Sequence, residues 1–235
     1  MKKSEMCGLR IFVAGTCVVL GLQLGIVQAS NAESAESAES AESAESTAVP
    51  AAVSTPQATI EAFHAELLEI MKHAKELGIQ GRIDKLGPLM NRAFDLTFMA
   101  SKTVGRHWRK LSTEDKDLWV DAFKRFTTAN YAGRFTGFTG EEFVTNGVEE
   151  APRGTRVVLT KIVIPDDDDV QLNYRLIERD GAWRVIDVFL DGTVSELALR
   201  RSEYSSALKR EGFASLLESV EAKIIDLKAE DLAEG

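Results

Sequence analysis

The sequence predicts an α+β domain in which helices back an antiparallel, curved sheet of about four strands. Apolar residues recur at helical spacing from residue 56 to residue 131, and β-branched and aromatic residues dominate from 143 to 190. Helical spacing then returns from residue 195 to residue 228. A run of strands between two groups of helices is typical of helices that pack on an antiparallel sheet.

Two long helices are predicted before the strands. The first covers 56–77, because Thr55 is a suitable N-cap residue and Gly78 is a natural stop. The second covers 113–131, where an apolar stripe follows an acidic first turn after Ser112.

Two short helices are predicted between them, over 82–104. Gly87-Pro88 is expected to break the first, because proline removes a backbone N–H and clashes with the preceding turn. Asp95 is expected to cap the second, and Gly105 to end it.

Three consecutive strands are predicted to form a meander, because the segments between them carry turn residues. Asp180-Gly181 is a two-residue hairpin sequence of the type I′ kind. A fourth strand is predicted to pair near residues 141–149. The meander strands are predicted over 155–164, 170–179 and 182–190, and the following helices over 195–209 and 213–228, separated at Gly212.

The charge balance is acidic. The chain has 28 Lys and Arg residues against 37 Asp and Glu residues, and a formal net charge of −9. A surface that binds nucleic-acid phosphates needs an excess of basic residues. The composition therefore disfavours nucleic-acid binding, and it also disfavours non-specific adsorption to an anionic membrane.

Residues 1–29 have the pattern of a cleaved signal peptide. A basic n-region precedes a mostly apolar segment of 17 residues over 11–27, and Val27-Gln28-Ala29 fits a cleavage site. The alternative is an uncleaved membrane anchor, for which this segment is of marginal length. Cleavage predicts that the remaining chain is exported.

Cleavage would also remove both cysteines, Cys7 and Cys17. A chain without cysteine has no thiol catalysis, iron–sulfur cluster or thiolate zinc site. Five Ala-Glu-Ser triplets fill residues 32–46, and this composition predicts a disordered, soluble tether over 30–53. The folded domain is then predicted over 54–230.

The sequence predicts no metal site and no cofactor. The three histidines, His64, His73 and His107, lack the spacing that would place two of them on one helical face. The acidic run over 166–169 has two interpretations, a calcium site and a solvated hairpin turn. It lacks the alternating ligands and the closing glutamate of a known calcium loop.

Alternation along the strands predicts one strongly apolar sheet face. Tyr174 lies on that face in one strand, and Trp183, Val185, Asp187 and Phe189 are expected there from the next. The opposite face carries more apolar surface than a solvated face needs. This surplus has two interpretations: core beneath helices, or the wall of an apolar cavity for a lipid.

Asp187 is the ionisable residue on the predicted apolar face, and burial of a carboxylate is costly unless it is paired or protonated. One interpretation is a general base with a raised pKa inside a cone-shaped cavity. The other is a structural ion pair with Arg200 or Arg201 of the next helix, or a position at the sheet edge.

One set of residues runs through nearly the whole folded part. It comprises Gly105, Trp108, the helix over 113–131, Tyr174-Arg175, Trp183-Arg184-Val185-Ile186-Asp187-Val188, Asp191-Gly192, Ser195 and Arg201-Ser202-Glu203-Tyr204. This set resembles the MlaC family of periplasmic lipid-binding proteins, also described as toluene-tolerance auxiliary proteins. Residues 130–135 and 140–143 are similar to its HpnM branch, which is associated with hopanoid biosynthesis and transport.

The resemblance implies a helix-backed sheet that encloses a deep apolar pocket. It also implies a non-enzymatic periplasmic carrier that moves phospholipid or hopanoid between outer- and inner-membrane machinery. Its implied partners are membrane-anchored lipid-transport proteins, either of the MCE type or an inner-membrane exporter, for which it would be an ABC transporter auxiliary component.

Strand alternation and helical stripes supply the candidate site residues for such a carrier. Asp187 with Arg201 is the candidate structural pair. The candidate lipid-binding residues are Phe98, Phe123, Phe126, Tyr174, Trp183, Val185 and Phe189.

Two alternatives to a lipid carrier remain open. The first is an enzyme with a cone-shaped cavity, in which Asp187 is the general base and Tyr174 is a hydrogen-bond donor. The second is a periplasmic adaptor that has a filled core and binds no ligand.

Overall fold

The structure is a computed structural model that describes residues 55–234. The predicted signal peptide over 1–29 and the predicted tether over 30–53 lie outside the described residues. The helices are α1 (Pro56–Lys72), α2 (Ala74–Ala93), α3 (Leu96–Thr103), α4 (Thr113–Arg134) and α5 (Glu196–Glu234), with a 3-10 segment over Gly105–Lys110. The strands are β1 (Glu142–Ala151), β2 (Thr155–Val163), β3 (Val170–Arg179), β4 (Ala182–Leu190) and β5 (Val194–Ser195).

These strands form an open antiparallel sheet in the order β1-β2-β3-β4-β5, and the predicted α+β class is confirmed. The hairpin at Asp180-Gly181 is also confirmed, because its two residues have φ of 53° and 75°, as a type I′ turn requires. The strand that the sequence did not predict is β5, which has two residues and is too short to show alternation.

The helix boundaries differ from the prediction in two places. The first helix ends at Lys72 rather than Leu77, and α2 follows directly. The predicted break at Gly87-Pro88 is wrong, because α2 continues through it. Leu86 and Met90 are fully buried on either side of the proline, and their packing compensates for the missing backbone hydrogen bond.

Two glycines interrupt the helical backbone at predicted stops. Gly78 in α2 has φ of 57°, and Gly212 in α5 has φ of 87°, a region that favours glycine. Each of these helices therefore consists of two helical segments joined at a kink. None of the helices described between residues 55 and 234 is long and apolar enough to cross a membrane.

The core lies between the helices and the sheet face that carries Tyr174, here called the inner face. The Phe63 ring of α1 is 5.1 Å from the Phe94 ring and 6.2 Å from the rings of both Tyr131 and Tyr174, in edge-on arrangements. Such contacts are favourable beyond their buried area. This aromatic cluster joins α1, α4, β3 and the C-cap residue that follows α2.

A buried polar pair, His64 and Tyr174, lies inside this core. The Nε2 atom of His64 is 3.0 Å from the Tyr174 hydroxyl, and the Phe143 ring stacks on the imidazole at 4.3 Å. Burial lowers the pKa of His64 to about 3, so its imidazole is neutral at pH 7. The pair satisfies two polar groups that water cannot reach.

A buried arginine, Arg82, joins three helices. Its guanidinium donates to the carbonyl oxygens of Ala132 in α4 and Ala74 in α2, each at 2.9 Å. It also donates to the carboxylate of Asp231 in α5. Because the Arg82 side chain is almost completely buried, these acceptors replace its hydration.

Replacing His64 with glutamine is expected to reduce the loss of stability in acid. The unfolded chain protonates His64 below pH 6.5, whereas the folded chain, with its His64 pKa of about 3, does not. Above pH 6.5 the burial of neutral His64 therefore causes no pH-dependent loss of stability. Below pH 6.5 the free energy of unfolding decreases by about 1.4 kcal/mol per pH unit, until the folded pKa of about 3 is reached. Urea titrations at pH 7 and pH 5 should show a smaller decrease in the free energy of unfolding for His64→Gln than for wild type.

The exposed His73 provides the matched control. His73→Gln removes an imidazole whose side chain is 59% exposed, so the comparison isolates the effect of burial at His64. Equal decreases for His64→Gln and wild type would contradict the burial of a neutral imidazole.

Asp231→Asn is expected to lower the free energy of unfolding by about 3 kcal/mol, because it leaves the buried Arg82 cation without its carboxylate. Asp226→Asn removes an exposed carboxylate from the same helix and should change stability by less than about 0.5 kcal/mol. Urea denaturation of both variants measures the difference. Equal losses of unfolding free energy would contradict a stabilising ion pair between Arg82 and Asp231.

Candidate functional site

A β-bulge in β4 determines which side chains face away from the core. Arg175 pairs with Asp187, but the next residue, Leu176, pairs with Val185, so Ile186 is an extra residue in β4. Side chains of directly paired residues lie on the same face of the sheet. Val185 is therefore on the inner face with Leu176, whereas Asp187 is on the outer face with Arg175.

The bulge makes one sequence prediction wrong. Alternation placed Trp183, Val185, Asp187 and Phe189 on one face, but the inserted Ile186 reverses the alternation after Val185. Asp187 and Phe189 thereby lie on the outer face. The carboxylate of Asp187 is consequently outside the apolar core that alternation had assigned to it.

The outer face carries a cleft of about 650 Å³. Residues of β2 to β5 form one wall, α3 and the beginning of α5 form another, and the turn between β1 and β2 closes one end. Its apolar lining residues are Phe98, Pro152, Ile177, Ile186, Leu197 and Ala198. Its polar and charged lining residues are Thr155, Asp187, Ser195, Lys102, Arg153, Arg175 and Arg201.

The apolar and basic residues of the cleft differ in depth. Ile186 is buried and Ile177 is half-buried, whereas Lys102, Arg153 and Arg201 are exposed. The cleft therefore has an apolar interior and a basic opening. This arrangement suits an amphipathic ligand whose apolar part is shielded and whose polar part remains near water.

Asp187 holds the start of α5 against the sheet. Its Oδ1 accepts hydrogen bonds from the backbone N–H groups of Val188 at 2.9 Å and Leu197 at 3.0 Å, and its Oδ2 accepts one from the Ser195 hydroxyl at 2.6 Å. The Ser195 Oγ in turn accepts from the Ala198 N–H at 3.0 Å, as an N-cap residue does. The carboxylate thus fixes the wall of the cleft that α5 supplies.

The predicted ion pair between Asp187 and Arg201 is not formed. No ion pair joins these two residues within the described part of the chain, and the partners of Asp187 are the three donors named above. Burial raises the pKa of Asp187, while its hydrogen bonds to Ser195, Leu197 and Val188 act in the opposite direction. Arg201 is instead exposed at the cleft opening.

Phe98 is fixed in the cleft wall by its neighbours. Asp95 caps α3 by accepting from the Phe98 N–H at 2.9 Å, as the sequence predicts, and pairs with Arg179 at 2.8 Å. The Lys102 ammonium lies 4.7 Å and the Arg179 guanidinium 4.8 Å from the centre of the Phe98 ring. These cation–π contacts restrain the ring.

The other candidate lipid-binding residues do not line this cleft. Phe123, Phe126, Tyr174 and Val185 are buried in the core, and Trp183 is half-buried against it. Phe189 is half-buried on the outer face. Contact of these residues with a lipid stays a prediction.

Sequence reasoning missed most of the residues that line the cleft. Ile177 and Ile186 were the sequence signal that could have revealed the cleft. They are apolar residues on the sheet face opposite the core, where the sequence analysis found more apolar surface than a solvated face needs. Arg201 was predicted as the partner of Asp187 rather than as a lining residue, and Leu197 was not predicted, because both come from a helix whose position depends on the hydrogen bonds of Asp187.

Among residues 55–234, no group of three His, Cys, Asp or Glu side chains is placed to hold a metal ion. His64 lies in the core, and the acidic run over 166–169 is exposed in the turn between β2 and β3. Lys161 donates to Asp169 there at 2.6 Å.

Fold and cleft together define an α+β protein with an amphipathic cleft on one face of its sheet. The model of the MlaC protein family matches residues 61–222, and the chain belongs to this family, as its resemblance indicated. A solved structure with a similar fold is the phospholipid-binding protein from Ralstonia solanacearum, in complex with a phospholipid. The two proteins are 19% identical, the alignment covers 73% of this chain and 98% of the other, and the TM-score is 0.66. Among curated proteins there is no significant match.

Asp187→Ala is expected to lower the free energy of unfolding by about 2 kcal/mol, because the N–H groups of Val188 and Leu197 lose their acceptor. Asp187→Asn keeps an acceptor oxygen for both groups, and its amide can donate to Ser195. The asparagine variant should therefore lose less than about 1 kcal/mol in urea denaturation. An asparagine variant as unstable as the alanine variant would contradict a role as acceptor.

Proposed function

We propose that this protein is a periplasmic carrier that binds a phospholipid in the cleft on the outer face of the sheet. The observation that carries the proposal is the amphipathic lining, with Ile177 and Ile186 inside and basic residues at the opening. Shielding acyl chains from water is favourable by about 0.8 kcal/mol per CH₂ group. The fold shared with a phospholipid-binding protein supports the same ligand class.

Binding is better supported than catalysis. Three hydrogen bonds to the Asp187 carboxylate hold the start of α5, so proton transfer at this group would disturb the contact that fixes the cleft wall. Tyr174, the donor of the alternative enzyme mechanism, is in the core and bonded to His64. A purely structural adaptor, in turn, does not require a cleft of about 650 Å³.

The transport role forms part of this proposal. The pattern over residues 1–29 supports export, and family membership supports exchange of lipid between outer- and inner-membrane machinery. The partners would be membrane-anchored lipid-transport proteins, of the MCE type or an inner-membrane exporter. Exposed basic residues at the opening would allow release, because exposed charges bind a ligand weakly.

Hopanoid is the alternative cargo, which rests on the resemblance of residues 130–135 and 140–143 to the HpnM branch. In the structure the centre of the Phe135 ring is 5.7 Å from that of Tyr131 and 6.3 Å from that of Phe143. Since these rings do not line the cleft, the geometry favours phospholipid.

Native mass spectrometry with lipid extraction tests the proposal. The full chain, expressed in a Gram-negative bacterium and purified from the periplasmic fraction without detergent, is expected to carry one phospholipid. A bound hopanoid would contradict phospholipid as the ligand and identify hopanoid as the cargo. A chain that is empty and also refuses phospholipid from vesicles would contradict a carrier.

Ile177→Glu is expected to reduce phospholipid occupancy by about tenfold, because it places a charge where acyl chains would lie. Leu118→Glu is the matched control, since Leu118 is 47% exposed on α4 and is not among the residues that line the cleft. Circular dichroism should show both variants folded. Full occupancy of Ile177→Glu would exclude this cleft as the binding site.

A further inference from the structure

The part of α5 that follows the kink at Gly212 is apolar on two opposite sides. One side packs into the core, where Leu216, Val220 and Ile224 are buried. The other side faces solvent and carries a second line of apolar residues, because spacings of three and four residues place its members on one face of the helix. This line is named the outer stripe and consists of Ala222, Ile225, Ala229 and Leu232, all of which are exposed.

The outer stripe contains the two most exposed large apolar side chains between residues 55 and 234. Ile225 is 66% exposed and Leu232 is 77% exposed. They lie two turns apart, and the alanine between them leaves a groove into which the side chains of another helix can pack. An apolar line with this spacing is typical of the seam between two helices, and the fold itself does not use it.

Three carboxylates border the outer stripe. Glu218 precedes it by one helical turn, and Asp226 and Glu230 lie along one side of it. All three are exposed, and none of them forms an ion pair within the part of the chain that the structure describes. They are therefore free to face the positive charges of a partner.

The two lysines of this helical segment do not neutralise the border. Lys223 forms an ion pair with Glu203, in the first segment of α5. Lys228 donates to the Oε1 atom of Gln80 in α2 at 2.9 Å. Because both ammonium groups are engaged elsewhere, the outer stripe has a negatively charged border.

We propose that the outer stripe docks an amphipathic helix of a partner protein, in which lysine or arginine residues flank an apolar line of the same spacing. Its apolar side chains would cover Ile225 and Leu232, and its cations would face the three carboxylates. Two large side chains make a small contact, which suits transient association. The outer stripe does not line the cleft, so the inference is separate from lipid binding.

The acidic border disfavours two other occupants. In a two-fold dimer the same surface of both copies meets, so the carboxylates of one copy would face those of the other. An anionic membrane surface attracts helices whose apolar face is flanked by lysine and arginine, and it would repel this border. A basic partner helix satisfies the apolar line and the charges together.

Synthetic helical peptides of three heptads test the proposal. The first peptide has leucine at the spacing of the outer stripe with lysine beside it, the second has glutamate in place of lysine, and the third has serine in place of leucine. Each is labelled and titrated with the full chain, and fluorescence anisotropy measures its affinity. Wild type should bind the first peptide about tenfold more tightly than either of the others. Equal affinities, or no binding of the first peptide, would overturn the proposal.

Ile225→Ser and Leu232→Ser should each weaken binding of the first peptide by about tenfold. Leu118→Ser is the matched control, because it removes an exposed leucine from α4 and should leave the affinity unchanged. Circular dichroism should show all three variants folded, since the replaced side chains are exposed. Wild-type affinity in both stripe variants would refute docking at this surface.

The charge contribution is tested with a second pair of variants. Asp226→Asn combined with Glu230→Gln should weaken binding by about threefold at low salt, and the difference should shrink as salt rises. Glu114→Gln combined with Asp117→Asn makes the same change in net charge on α4 and should retain wild-type affinity. Equal losses in both double variants would contradict a specific border.

Two further measurements detect the other occupants. A concentration-dependent dimer in sedimentation velocity that Ile225→Ser abolishes would assign the outer stripe to a second copy of the chain. Flotation with phosphatidylglycerol vesicles that Ile225→Ser abolishes would assign it to a membrane surface. Either result would overturn the proposal, and no dimer and no stripe-dependent flotation are expected.

Discussion

The hydrogen bonds of Asp187 connect the end of the sheet to the beginning of the last helix. Its Oδ1 accepts hydrogen bonds from the N–H groups of Val188, which precedes β5, and Leu197, which follows it. Its Oδ2 accepts one from the hydroxyl of Ser195, the N-cap residue of α5. Three donors replace the water that the carboxylate loses on burial, which makes its position there tolerable. The cleft wall formed by Leu197 and Arg201 depends on this connection.

Local interactions explain why much of the fold could be predicted. The cap that Asp95 provides for α3 and the turn at Asp180-Gly181 could be predicted, because each depends on only a few consecutive residues. Pro88 shows the limit of such reasoning, since buried contacts from distant helices keep α2 intact around it.

The bulge at Ile186 had no indication in the sequence. Residues 185–190 are apolar at nearly every position, so either alternation is compatible with them. Non-local partners determine the register of β4. Strand β3 pairs with it on one side, and on the other side the Asp95 N–H donates to the Val185 carbonyl at 2.9 Å.

Phe98 was predicted as a site residue and lines the cleft, whereas Tyr174 fills the core with Phe63 and His64. Lys102 and Arg153, which line the cleft at its opening, were not predicted as site residues, because a cation without a carboxylate partner cannot be distinguished in sequence from one that has a partner.

The contact between Arg82 and Asp231 has a consequence for the order of folding. These residues are 149 positions apart, so a chain made from its N-terminus exposes Arg82 long before its carboxylate exists. During that interval the guanidinium must stay hydrated, and α2 and α4 cannot close over it. The set of acceptors around Arg82 is therefore complete only once the final turns of α5 have been synthesised.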